Sequence, residues 1–279
     1  RGIRTIAEYV SVTSLVIVET TVPPGTCEKV VVPEIARILE KRGLPNDSIL
    51  VAHSYERVMP GSDYLDSIIN YWRVYSGHTK EAADRCLNFL SDFINTQKFP
   101  LTRLSSTTAS ETAKVLENSY RAVNIAFMEE WGRFAEEIGI NMFEIVDAIR
   151  KRPTHSNIRQ PGFGVGGYCL TKDPLFAKVA AEKLFGKKID FQFIERAVDI
   201  NNRMPLAVIT RLERILGDTL SRKRVLLLGV SYRQDVGDTR NTPSEILVKE
   251  LKRRDIEVVC HDPLVEYWQE MGIKVIRDL

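Results

Sequence analysis

Short β-branched apolar runs alternate with amphipathic stretches at both ends of the chain, and a long strand-free segment separates them. Residues 14–20 (Ser-Leu-Val-Ile-Val-Glu-Thr) read as a buried strand that empties into the loop Thr21-Val22-Pro23-Pro24-Gly25. A helix over 27–42, a second strand over 48–53, a third over 74–76 and a helix over 79–94 follow. This alternation predicts a parallel α/β sheet, whose ligands gather at the carboxyl ends of the strands. Thr21 and Glu56 both fall at such ends.

Residues 106–138 change character. Val115, Leu116, Ser119, Val123, Ala126, Phe127, Glu130 and Phe134 recur on a helical period, which predicts one long helix ended by Gly139. Asn141, with Glu144 three residues on, predicts a capped helix to about Arg150. Helices near 174–184 and 191–216 come next, the second kinked or divided at Pro205. A strand over 224–230 opens a second α/β unit, with helix 243–253, strand 256–260, helix 265–271 and strand 273–276. The sheet of that unit is thin and the first has no leading strand with a glycine fingerprint, so the expectation is a chain incomplete at both ends.

Composition narrows the function classes. The 39 basic and 37 acidic residues are interspersed and leave a net charge of +2, so no basic stripe points to nucleic acid. No apolar run reaches membrane-spanning length. Cys27, Cys86, Cys169 and Cys260 lie far apart without a C-x-x-C pair, which predicts reduced thiols and a cytoplasmic setting. His53, His78, His155 and His261 lack metal-ligand spacing, and no metal site is expected.

Two features carry candidate chemistry. The first is Gly162-Phe-Gly-Val-Gly-Gly-Tyr-Cys-Leu-Thr-Lys-Asp-Pro174, a glycine-rich loop that delivers Cys169 four residues ahead of Asp173. It reads either as a nucleophile loop, with Lys172 lowering the thiol pKa, or as a tight turn carrying a buried cysteine. Gly162, Gly164 and Gly167 satisfy G-x-G-x-x-G, but no strand precedes them. The next helix is expected to start near Pro174 with Asp173 as its cap, so a dinucleotide fingerprint is rejected. The second feature is Lys114 and Asn118, four apart on one helix face. They read as a cation and an amide serving one small volume, or as an exposed lysine and a solvated asparagine.

Taken together, Thr-Val-Pro-Pro-Gly at 21–25, Glu-Arg-Val-Met-Pro-Gly at 56–61, Lys114-x-x-x-Asn118-Ser-Tyr-Arg, the 162–174 loop and Gly-Val-Ser-Tyr-Arg-Gln-Asp-Val-Gly-Asp-Thr-Arg at 229–240 resemble the nucleotide-sugar 6-dehydrogenase family. The resemblance implies an α/β fold of two Rossmann-like parallel-sheet domains joined by a central helical region with a long helix. Their spans are 1–104 for part of an NAD-binding domain, 105–220 for a helical dimerisation domain with the cysteine loop, and 221–279 for the start of a UDP-binding domain. It further implies oxidation of the C6 hydroxyl of a UDP-hexose, either UDP-glucose or a UDP-N-acetylhexosamine, to the carboxylate with two NAD⁺, through a thiohemiacetal and a thioester on the cysteine. Such enzymes serve polysaccharide biosynthesis as dimers or larger homo-oligomers.

Carried over position by position, the resemblance makes Cys169 the nucleophile and Lys114 and Asn118 the oxyanion donors. Asp173 and Thr21 hold a water, and Glu56 is the base for thioester hydrolysis. Arg57, Val58, Gly166, Gly167, Tyr168 and Arg233 fall at substrate-binding positions, and Thr21, Lys172 and Arg240 at cofactor-binding ones. Arg152 and Arg159 are candidates for a basic group lent to a neighbouring subunit.

Three positions depart from the family pattern. Tyr55 stands where proline usually precedes the glutamate, Arg233 where UDP-glucose enzymes carry lysine, and Tyr168 where serine or histidine is commoner. The family's amino-terminal G-x-G-x-x-G turn is also absent from this stretch, which predicts weak NAD binding by these residues alone. Two other readings stand beside this one: a two-electron dehydrogenase of the β-hydroxyacid or 6-phosphogluconate type, and a non-catalytic, dimerising sugar-nucleotide-binding fragment.

Overall fold

Alternation along two strands decides the first sheet. In the computed structural model, which describes residues 1–58, 61, 63–217, 220 and 223–278, β1 (Leu15–Val18) pairs in parallel with β2 (Leu50–His53), Leu15 opposite Leu50 and Val18 opposite His53. Val16 and Val51 point to one face and pack with Ala7, Ile35, Ile38 and Leu39 of α1 (Gly2–Tyr9) and α2 (Val32–Lys41). Leu15, Ile17 and Ala52 point to the other and meet Ala83, Cys86 and Leu90 of α4 (Lys80–Ser91). The sheet is therefore covered by helices on both faces.

Two details of this region differ from the sequence reading. The expected helix over 27–42 opens with a wider π turn, Cys27–Val31, before α2. Pro33 lacks the N–H that regular α-helical winding would need there. Second, the sheet is mixed: β3 (Val74–Gly77) runs antiparallel to β2, with Ala52 opposite Gly77, while β4 (Thr102–Arg103) is parallel to β3. Among the described residues, the β2–β3 connection holds one short helix, α3 (Tyr64–Ile69).

The chain divides into two compact units. The first comprises residues 1–117 and 175–190, the second 118–174 and 191–279. α5 (Thr107–Ile138), the long helix the periodicity predicts, gives its first turns to one unit and the rest to the other. Gly139, at φ +75°, follows it. In the first unit, α8 (Phe176–Lys183) leads to Phe185, whose ring closes over Gly25 and lies 4.9 Å from the Lys29 ammonium.

In the second unit, α6 (Met142–Arg150) starts where Asn141 accepts from the Phe143 N–H, as expected of a cap. Met128 and Ala135 of α5 pack on Met142 and Val146 of α6. α9 (Gln192–Arg203) and α10 (Ala207–Leu216) are separated by a 3₁₀ turn at Met204–Leu206, so Pro205 divides this helix. The buried Asn201 amide donates to the Ala122 carbonyl, and Arg211 and Arg214 pair with Glu136 and Glu137, tying both helices to α5.

The carboxyl-terminal part of that unit pairs β5 (Arg224–Leu228) with β6 (Glu257–His261) in parallel across α11 (Pro243–Arg253), which Thr242 caps. The helix expected over 265–271 is not formed. Val265 and Trp268 have helical spacing, but Gly272 at φ +62° reverses the chain after a single 3₁₀ turn. β7 (Tyr267–Trp268) then pairs antiparallel with β8 (Ile273–Lys274), which buries Trp268 completely. Among the described residues no helix is long and apolar enough to cross a membrane.

Candidate active site

In the first unit, the amino-terminal face of α5 receives the two loops that leave β1 and β2. Glu111 is fully buried, and its carboxylate accepts the backbone N–H of Gly25 at 2.5 Å and of Cys27 at 2.8 Å. It thereby satisfies the open donors where the 27–41 helical run begins. Burial raises the Glu111 carboxyl above its ordinary pKa, against the pull of these hydrogen bonds. Thr21, in the loop so anchored, is half-buried.

The β2 loop docks one helical turn further along. His53 and Tyr55 alternate to the same side as the strand runs out, and both meet α5. His53 Nδ1 lies 2.7 Å from Ser110 Oγ, and the Tyr55 hydroxyl donates to Glu117 at 2.9 Å. Burial holds His53 down to about 4, so it is neutral near pH 7. Lys114 stands between those contacts on the same face, and its ammonium donates to the Glu56 carbonyl at 2.9 Å. The Glu56 carboxylate accepts the Val58 N–H. Arg57 spends its guanidinium within the protein, on Glu117, the Tyr55 hydroxyl and the Trp72 carbonyl. Met59 and Pro60 of the expected substrate loop lie outside the described residues.

In the second unit, Asn118 donates its amide to Asp173 Oδ2 at 2.9 Å, and Lys172 Nζ sits 2.6 Å from Asp173 Oδ1. Asp173 is only 1% exposed. This corrects its expected part as a helix cap. The helix opens earlier, with α7 (Cys169–Lys172), a 3₁₀ turn over Asp173–Leu175 follows, and the Asp173 side chain turns to Asn118. Cys169 is therefore the first residue of a short helical turn.

The four cysteines separate by environment. Burial raises the Cys27 thiol, with the nearby Glu111 charge adding to it, lifts Cys86 to about 12 and raises Cys260. Cys169 is the exposed one, which sets aside the reading of a buried turn cysteine.

The glycines beside it answer a packing need that sequence alone does not reveal. A Cβ on Gly166 would stand 2.5 Å from Tyr232 Cβ and 2.9 Å from the Asn241 carbonyl, and one on Gly164 2.5 Å from Pro243. Gly167, at φ +75°, donates its N–H to the Arg240 carbonyl. The loop thus packs against the 232–243 segment. Arg240 grips Asp238 through both carboxylate oxygens and lies 4.9 Å from the Tyr168 ring centre. The carboxylate hydrogen bond holds its guanidinium fully protonated. Arg233, Arg152 and Arg159 are exposed.

Glu111, Glu117, Tyr232 and Asp238 were not singled out by sequence reasoning. The first two carried a usable signal, since residues 110, 111, 114 and 117 share the helix face of Lys114. Among the described residues no group of three His, Cys, Asp or Glu side chains forms a metal site.

Comparison with known proteins gives one answer along the chain. Residues 1–93 match the NAD binding domain, 108–203 the central domain and 226–279 the UDP binding domain of the UDP-glucose/GDP-mannose dehydrogenase family. The chain belongs to that family. It is 34% identical over 94% of its length to the UDP-N-acetyl-D-mannosamine dehydrogenase of Methanocaldococcus jannaschii, covering 56% of that protein. The solved UDP-D-ManNAc dehydrogenase of Pyrococcus horikoshii matches 95% of the chain at 32% identity and a TM-score of 0.82, with 60% of that structure covered. An NDP-N-acetyl-D-galactosaminuronic acid dehydrogenase from Methanosarcina mazei Go1 matches the whole chain at 28% identity and a TM-score of 0.83, with 59% covered. The chain thus spans under two thirds of each of these relatives.

Replacing the Glu111 carboxylate with an amide tests the anchoring. A glutamine offers one acceptor where two backbone N–H groups converge, so Glu111→Gln is expected to lower stability by about 1–3 kcal/mol in urea unfolding. An unchanged midpoint would mean that the 21–27 loop holds itself.

Proposed function

We propose that the protein carrying this chain oxidises the C6 hydroxyl of a UDP-hexose to the carboxylate, consuming two NAD⁺ per sugar. The observation that carries this reading is the exposed Cys169, at the opening of a helical turn and four residues ahead of Asp173, which is buried and held by Asn118. An N-acetylated hexosamine is the favoured sugar, since the relatives above bear the names of N-acetylmannosamine and N-acetylgalactosaminuronic acid enzymes.

The fit to NAD is uneven along residues 1–93. The loops at the carboxyl ends of β1 and β2 place Thr21 and Glu56 where a doubly wound sheet presents ligand contacts. The described residues supply no glycine-rich turn between a strand and a helix to cradle the pyrophosphate. Thr21, Lys172 and Arg240 are the residues proposed to meet the cofactor, of which two molecules, bound in turn, would each accept one hydride.

The chain's own groups supply the rest. As the C6 alcohol becomes an aldehyde, Lys114 and Asn118 donate to the oxygen on which charge develops; such fixed donors are commonly worth about 3 kcal/mol each. The Cys169 thiolate then adds to the aldehyde carbon, forming a C–S bond and a tetrahedral alkoxide from which the second hydride leaves. The product is a thioester. Asp173 and Thr21 hold a water, Glu56 takes its proton, and hydrolysis releases the carboxylate and restores the thiol. Arg57 and Val58, through their main chain, together with Gly166, Gly167, Tyr168 and Arg233, are proposed to contact the substrate. Overall the alcohol and one water give the carboxylate, two NADH and three protons.

A second copy of the chain is the proposed macromolecular partner. Tyr120, Phe127, Trp131, Phe134 and Ile138 lie on one face of α5 and are each about half exposed, with Trp131 edge-on to both phenylalanines. Spacings of seven, four, three and four residues form the seam along which helices pair.

Two measurements test these readings. The complete protein, assayed with UDP-N-acetylmannosamine, UDP-N-acetylglucosamine and UDP-glucose, is expected to release two NADH per sugar with one donor, and Cys169→Ala to form no carboxylate. One NADH per sugar would instead indicate a two-electron dehydrogenase, and none with any donor a binding protein. In sedimentation velocity the protein is expected to run as a dimer or larger, and Trp131→Glu to shift it toward monomer. A monomeric wild type would refute the pairing.

A further inference from the structure

We propose that Tyr55 is a positioning residue for Lys114, setting where that ammonium stands through the face of its ring while its hydroxyl holds the adjoining Arg57–Glu117 pair. The proposal rests on the reading of Lys114 as an oxyanion donor. It concerns a position at which this chain departs from its family's pattern, where proline would offer neither an aromatic face nor a hydroxyl.

Tyr55 is fully buried although it follows the end of β2, and its surroundings are charged rather than apolar. The Lys114 ammonium lies 5.4 Å from its ring centre and the Arg57 guanidinium 5.2 Å, both within the range where a cation is attracted to an aromatic face. The hydroxyl donates to Glu117 at 2.9 Å and accepts from Arg57 at 3.1 Å. Burial, reinforced by the Glu117 charge, raises the phenol well above its ordinary pKa, so it remains a neutral donor.

Lys114 and Glu117 are neighbours three residues apart on α5, and Tyr55 spans both. A lysine side chain has four rotatable bonds and no preferred fork, so a fixed ammonium needs more than one contact. Here the Glu56 carbonyl supplies one and the Tyr55 ring a second. The ring also matters chemically. Its face attracts the cation without offering an acceptor, so it steadies the ammonium while leaving N–H groups to donate elsewhere. A carboxylate in its place would hold Lys114 more strongly and engage a proton that the reaction needs.

The opposite arm of the arrangement bears on substrate. With Arg57 drawn onto Glu117, Tyr55 and the Trp72 carbonyl, the 56–58 backbone is pinned to the same helix face as Lys114. Loop and donor are thus set by one side chain.

The test compares three replacements in the complete protein: Tyr55→Phe, which keeps the ring; Tyr55→Met, which fills similar space without a π face; and Tyr55→pentafluorophenylalanine, which keeps the shape of phenylalanine but reverses the ring's electrostatics. Lys114 is probed directly by limiting acetic anhydride labelling read by peptide mass spectrometry, and kcat and KM are measured alongside. Tyr55→Phe is expected to label Lys114 as the wild type does and to keep most of kcat. Tyr55→Met and the fluorinated ring are expected to label Lys114 about threefold faster and to lose about tenfold in kcat, with KM changed by less than about twofold. If all three label and turn over alike, the ring does not position Lys114 and the proposal fails. The fluorinated variant decides the matter should Tyr55→Met not fold. If the wild type oxidises no UDP-sugar, the proposed function fails on its own, and the labelling pattern still judges Tyr55.

Discussion

One helix face sets the geometry of the first unit. The carboxylate of Glu111, buried and engaged by backbone N–H groups at Gly25 and Cys27, fixes the loop after β1 to α5. Ser110, Lys114 and Glu117, on adjoining turns, fix the end of β2 and the loop behind it. Burying a carboxylate is costly unless its oxygens are satisfied. At Glu111 the satisfied partners are main-chain groups, which no side-chain rearrangement elsewhere can replace. The two loops at which a doubly wound sheet binds ligands are thus referenced to a single rigid element.

The same helix carries the groups proposed for catalysis. Lys114 stands one turn beyond Glu111, and Asn118 one turn beyond Lys114. A helix holds such positions more closely than a loop does, and the energetic return on fixed donors depends on that closeness. On the cysteine side the constraint is steric rather than electrostatic. Gly164 and Gly166 lie so close to Pro243, Tyr232 and the Asn241 backbone that no side chain fits, which seats the loop ahead of Cys169. That loop leaves Cys169 exposed while the other three thiols are buried.

Much of this was legible in the sequence where pattern and chemistry agree. The long helix, the cap at Asn141 and the break at Pro205 follow from periodicity, capping residues and proline geometry. The misses share a physical cause, since each depends on a partner distant in sequence. Asp173 reads as a cap locally but is claimed by Asn118, 55 residues away. Residues 265–271 read as a helix until Gly272 and the burial of Trp268 impose a hairpin. The reversed direction of β3 leaves no mark in its own residues. The glycines at 164–167 suggest close approach to a ligand, yet at Gly164 and Gly166 the approach is to the protein itself. Glu111 and Glu117 were within reach, had the face of Lys114 been followed one turn in each direction.

The measurement that bears most directly on the central claim is the intact mass of the Glu56→Gln protein after mixing with its UDP-sugar and NAD⁺. With the base removed, hydrolysis slows while both oxidations proceed, so the account predicts two NADH per site in the first turnover and an acyl adduct on the peptide bearing Cys169. Carboxylate released at an undiminished rate, or an adduct on Cys27, Cys86 or Cys260 in place of Cys169, would contradict it.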